Sequence, residues 1–186
     1  AVRWCWGLPS GRRAQGPWLT CGVGTRFISF AQAAARRVLE FAYHEFKANG
    51  DLLGQASSVW GIAESVHLEW SDSRSMDKWV DVIEELLNQP LPFPSAEGEL
   101  RANASAVTAF RRRRAESPLL VSYARRLHLL LEGEAHPSAK VPAASMLLNY
   151  YGFCADFVSG RRLVALIQPL LRYPEVSPLS RALWLG

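Results

Sequence analysis

"SMDKWVDVIEELLNQPLPFP", residues 75–94, sets a helix against its own stop signal. Met76, Trp79, Val80, Ile83, Leu86 and Leu87 recur at spacings of three, four and seven, so they share one face of a 3.6-residue helix. Asp72, Ser73 or Ser75 offers a side-chain oxygen to the first turn. "PLPFP" at 90–94 ends the pattern, because proline has no N–H for the helical bond and clashes with the preceding turn.

The same grammar runs both ways from this stretch. Upstream, Ala35, Val38, Leu39, Ala42 and Phe46 share a face, and Asn49-Gly50 supplies a left-handed stop. Leu52, Ala56, Val59, Trp60, Ala63, Val66 and Trp70 mark the next helix. Downstream, Leu100, Ala104, Val107 and Phe110 form one stripe, and Leu119, Leu120, Tyr123, Leu127, Leu130 and Leu131 another, with Pro118 in its first turn. Residues 138–154 are apolar nearly all round and predict a deeply buried helix. Leu163, Leu166, Ile167 and Leu170 follow, with Pro169 placed to kink or shorten that helix. No Asn-Gly hairpin lies between alternating runs, so strands are not expected.

The helices pair. Hairpins are predicted at about 17–48, 52–88, 96–132 and 138–172, with a further helix from about 178. Their second helices start near 31, 74, 118 and 157, a step of about 39–44 residues. A step of that kind predicts an all-α solenoid of about four stacked antiparallel hairpins, in which no unit buries its apolar face alone. The step is longer and less regular than the roughly 34 residues of a standard tetratricopeptide repeat.

Composition agrees with one globular, helical domain. Of 186 residues, 49% are hydrophobic and 20% charged, which excludes a disordered chain. The net charge of +4 is too mild to mark a nucleic-acid domain by itself. Cys5, Cys21 and Cys154 are odd in number and lack metal spacing, so they predict small buried or half-buried thiols in a reducing, cytoplasmic setting. No apolar run reaches the roughly 20 residues that span a bilayer. The N-terminus lacks signal-peptide order, and both ends read as cut from a longer chain.

Several stretches carry a family likeness. They include "WGLPSGRRAQGPWLTCGVG", with Leu8, Pro9, Pro17, Trp18 and Leu19, and the Phe46, Gly50, Asp51 helix end. Glu69-Trp70 followed by Asp72, and the "PEVSPL" link, extend it over nearly the whole chain. The sequence resembles the helical-repeat region of large bacterial signalling ATPases and MalT-like, LuxR-type transcriptional regulators. The resemblance implies a tetratricopeptide-like, right-handed superhelix acting as a sensor or scaffold. It also implies an ATPase domain upstream and a helix-turn-helix domain downstream. Neither is visible here: there is no G-x-x-x-x-G-K-[ST] and no terminal basic helix-turn-helix pattern. The relatives carry an aliphatic, proline-containing stretch near the third hairpin turn, where this chain has "FRRRRAESPLL".

No catalytic signature emerges. "GVGTRF" at 22–27 lacks a third glycine and a preceding strand, and tight packing at Gly22 and Gly24 explains it better than a phosphate loop. No G-x-S-x-G occurs. Glu64 and His67 form a single E-x-x-H, where di-iron bundles need a pair, so a core or groove histidine is expected; a helical-bundle metal protein is the rival reading. His44, His128 and His136 share no spacing with it. The seven tryptophans mostly sit on apolar stripes and read as hairpin packing rather than a ligand cage, with Trp4 and Trp6 at the cut end.

Arg111, Arg112, Arg113 and Arg114 close the helix predicted at 96–114. Projected at about 100° per residue, Arg111 and Arg114 flank the buried stripe while Arg112 and Arg113 point away. The run therefore wraps a helix end, where cations complement exposed carbonyls. Glu97, Glu99 and Glu116 are its expected partners. An anionic-partner site in a repeat groove is the second reading, and direct nucleic-acid binding the least favoured. Together these features predict a non-enzymatic scaffold that binds a protein partner or a small effector. It needs no cofactor, has no membrane segment, and leaves uncapped ends through which two copies would pair.

Overall fold

The computed structural model describes residues 28–69, 73–89, 93 and 95–185. Among these residues every regular element is helical. The α-helices are α1 (Ile28–Ala48), α2 (Leu52–Glu69), α3 (Asp77–Leu87), α4 (Ala96–Arg113), α5 (Pro118–Glu132), α6 (Pro137–Phe153), α7 (Phe157–Ile167) and α8 (Pro178–Leu185). Residues 17–27 of the helix predicted at 17–29, the cysteines Cys5 and Cys21, the Gly22–Gly24 stretch, and Trp4, Trp6, Trp18 and Trp70 lie outside the described residues; residues 28 and 29 belong to α1.

Local chemistry sets most boundaries where the sequence places them. Gly50 adopts φ +68°, the left-handed conformation that glycine takes without steric cost. The Asp51 amide then donates back to the Phe46 carbonyl at 2.9 Å, and the Asp51 carboxylate accepts from the Gly54 amide at 2.9 Å to start α2. A Cβ on Gly54 would stand 2.4 Å from the Phe46 ring, so this glycine lets α1 and α2 close on each other. Ser95, Ser117 and Asp156 cap α4, α5 and α7, and Pro118 occupies the first turn of α5. Pro169 acts as expected: α7 stops at Ile167 and the chain tightens into a 3₁₀ turn over Gln168–Arg172. The start of α3 departs from expectation. No side chain caps it, because a 3₁₀ turn at Ser73–Met76 leads into it with helical backbone already formed at Met76.

Packing follows an alternating order. Helices α2, α4, α6 and α8 contact one another in series. The odd-numbered helices flank that series: α1 and α3 pack on α2, α3 and α5 on α4, α5 and α7 on α6. An element with neighbours on all sides must be small on all sides, and α4 meets this condition. Every residue from 102 to 110 is buried, five of them alanine or serine. Asn103 keeps its amide satisfied by donating to the Glu99 carbonyl at 2.9 Å.

The expectation that 138–154 forms a deeply buried helix holds for part of its surface. α6 buries Val141, Ala144 and Leu147, but Phe153 is 59% exposed at its end. Hydrophobicity singled out α6. Four helices reach each of α4 and α6, and enclosure is continuous along α4 because its small side chains let those neighbours approach from every side. Trp60 and Trp79 are buried as predicted, Trp79 edge-on to Tyr43 with centroids 5.1 Å apart. Trp184 is buried too, its indole N–H donating to Gln168 at 3.4 Å. On α1 the predicted face is only part right: Leu39 packs against the core, but Val38 is 37% exposed and the buried residue is Tyr43, which the predicted face did not include.

Candidate functional site

The arginine run lies at the end of α4 beside α2 and α3. Arg113 pairs with Asp77, and Arg114 pairs with Asp81 and, at 3.3 Å, with Glu84. Asp77, Asp81 and Glu84 fall at successive turns of α3, so its acidic face meets the arginines. Arg112 reaches the Val66 carbonyl near the end of α2, Nη1 donating at 3.4 Å. The projection that sent Arg112 and Arg113 into solvent is therefore corrected: both turn back onto neighbouring helices. Burial pulls the Arg111 guanidinium below its ordinary pKa, with the charge of Arg112 adding to the effect. Burial does the same to Arg112.

The expected acidic partners are also corrected. Glu97 and Glu99 lie at the opposite end of α4, about 20 Å away by helical rise. Glu99 pairs with Arg126 on α5, and Glu97 accepts from the His136 amide at 3.1 Å. Sequence proximity misleads here because an 18-residue helix separates its own ends.

Glu64, half of the E-x-x-H pair, is engaged by Arg101 on α4, which donates from Nε and Nη2 to both carboxylate oxygens. A bidentate guanidinium takes one acceptor site on each oxygen and neutralises the charge that would attract a metal ion. The His67 side chain lies outside the described residues. Among the described residues no group of three or more His, Cys, Asp or Glu is gathered as a metal would need.

A groove of about 380 Å³ opens between α5 and α7, floored by the end of α6. Val121, Arg125 and Leu129 form its α5 wall, and Ser159 and Arg162 line it from α7. Its floor holds Tyr150 and Tyr151, both buried to within 9%. His128 Nδ1 is 2.7 Å from the Tyr151 hydroxyl, and its Nε2 is 3.6 Å from Glu132. Burial, with help from the Cys154 contact, pushes the Tyr150 hydroxyl up to about 12, and burial raises Tyr151 as well. Both phenols therefore keep their protons at neutral pH. Cys154, at the groove's edge, is exposed rather than buried, because α6 ends there and Ala155 turns the chain with φ 55°.

Sequence reasoning missed this groove. Its signal was present: Val121 and Leu129 lie off the stripe that buries Leu120, Leu127 and Leu131, so α5 carries more apolar residues than one face consumes. No protein-family model, curated protein or solved structure matches the chain. No helix among the described residues is long and apolar enough to cross a membrane.

Proposed function

We propose that the chain is a tetratricopeptide-like, right-handed stack of helical hairpins that works as a non-enzymatic interaction scaffold inside the cell. It would serve a bacterial transcriptional regulator or signalling ATPase by binding a protein partner. The observation that carries this reading is the alternating contact order, in which every second helix packs on the next such helix and the intervening helices flank the series. That order suits a repeat stack, whose surface is built for contact rather than for enclosing chemistry. The polar side chains support the same reading. Glu64 is held by Arg101, and Arg112, Arg113 and Arg114 are held by α2 and α3, so these groups fasten helices together.

Two measurements test it. Small-angle scattering should give an elongated particle, and peptide selection against the folded chain should yield a saturable ligand. A compact bundle that keeps stoichiometric iron, manganese or zinc through dialysis and loses it on His67→Ala would overturn the proposal in favour of the metal-protein reading.

A further inference from the structure

The α5–α7 groove holds an arginine that, unlike those at the helix contacts, is not paired with a neighbouring acid among the described residues. Arg101, Arg113, Arg114 and Arg126 all spend their charge on carboxylates of neighbouring helices. Arg125 is exposed and makes no ion pair among the described residues. Arg162 is also exposed and faces Asp156, whose carboxylate is already committed to capping α7 through the Ser159 amide at 3.0 Å. Glu132, the other acid near the groove, faces His128. Asp156 keeps its charge while capping and offsets Arg162, so the positive charge that the groove's acids leave unmatched is that of Arg125.

Its apolar content is also arranged. Val121 and Leu129 are 51% and 55% exposed, and Arg125 lies midway between them on the same face of α5. The spacing is apolar, cationic, apolar at one-turn intervals, spread over about 12 Å of helix. A partner helix with apolar, acidic and apolar residues at four-residue intervals has the same spacing and the complementary charge. Other peptide geometries fit less well. No strand edge exists among the described residues to accept an extended segment, and the Tyr150 and Tyr151 rings are too buried to offer faces to a proline-rich one. α5 and α7 each pack on α6 and touch one another marginally at most, which leaves room between them. The protonated phenols add donors rather than negative charge to the floor.

We propose that this groove binds an acidic amphipathic helix of a partner protein, with Arg125 and Arg162 receiving its carboxylate and Val121 and Leu129 its apolar side chains. The inference rests on the scaffold reading and names the chemistry of its partner.

The test is fluorescence polarisation with labelled peptides of about 15 residues, long enough to form helix on binding. One carries leucine, glutamate and leucine at four-residue spacing; a second has lysine for that glutamate; a third is scrambled. The chain should bind the first and lose at least about tenfold in affinity with Arg125→Glu and with Arg162→Glu. Arg125→Gln should fall between, with helical circular dichroism unchanged throughout. Arg172→Glu, an exposed charge outside the groove, should leave binding intact. Equal losses in Arg172→Glu would reduce the effect to net charge and overturn the proposal. So would equal binding of the lysine or scrambled peptide, or binding to phosphatidylserine vesicles without binding to the peptide. Ligands selected against the whole chain that ignore Arg125→Glu would place the site elsewhere, ending the groove assignment while leaving the scaffold reading standing.

Discussion

Arg101 on α4 donates from Nε and Nη2 to the two carboxylate oxygens of Glu64 on α2, 37 residues away in the chain. Both side chains are less than a third exposed, 20% and 29%. Removing one partner leaves the other charge poorly solvated. Glu64→Gln should therefore destabilise the fold by about 1–3 kcal/mol in urea denaturation. Arg101→Met with Glu64→Met should recover much of that loss, since the pair's desolvation cost disappears with it. Full additivity of the single variants would show that the two residues are not coupled.

Ala106 is fully buried in the middle of α4. Leucine has nearly the helix propensity of alanine, so propensity alone predicts a neutral change. Ala106 has no exposed surface, so three more carbons would have to enter the packed interior. Ala106→Leu should cost at least about 1–3 kcal/mol through overpacking. A neutral result by thermal or chemical unfolding would mean that α4 is not enclosed as described.

Ala155 holds φ 55° in the turn from α6 to α7, with the Asp156 amide donating to the Tyr151 carbonyl at 2.9 Å. A Cβ in the left-handed region costs on the order of 1 kcal/mol, and glycine avoids it. Ala155→Gly should raise stability by up to that amount, despite the greater unfolded-state freedom of glycine. A lowered unfolding midpoint would contradict the assignment of this turn.

Asp77 and Asp81 neutralise Arg113 and Arg114 at the α3–α4 contact. These ion pairs are largely exposed on the acidic side, so Asp77→Asn with Asp81→Asn should change stability by no more than about 1 kcal/mol per pair. The variant should, however, free Arg113 and leave Arg114 with Glu84 alone. Its affinity for heparin or duplex DNA should rise over the parent chain and fall steeply with added salt. Strong DNA binding by the parent chain, lost on Arg112→Ala with Arg113→Ala, would instead favour the nucleic-acid reading.

Hydrogen bonds from the Ser159 hydroxyl and then the Ser159 amide hold the Asp156 carboxyl below its ordinary pKa. The folded value lies below the unfolded one, so this contribution is fully present above about pH 4. It is lost as pH falls through the folded value. Thermal unfolding followed from pH 7 into that acid range should show the parent chain losing stability relative to Asp156→Asn, which has no proton to take up. Parallel curves would deny Asp156 its capping charge.

Helix positions were legible because their causes are local. Asn49-Gly50, Ser117-Pro118 and Pro169 act through backbone geometry within one or two turns, and a linear sequence carries that information whole. The arginine run was legible as a helix end for the same reason. Its partners were not, because Asp77 and Asp81 lie 36 and 33 residues away in the chain and only the packing of α3 on α4 brings them close.

By itself, the sequence determined that the described residues are helical, where most helices stop and much of the buried stripes of α2, α3 and α5, since periodicity and capping are short-range. The tertiary structure alone decided which helix is enclosed, which carboxylate each arginine takes, and where charge remains unspent. Those outcomes depend on which surfaces meet. Small side chains let four neighbours close on α4, and the same packing leaves α5 and α7 apart with Arg125 between Val121 and Leu129.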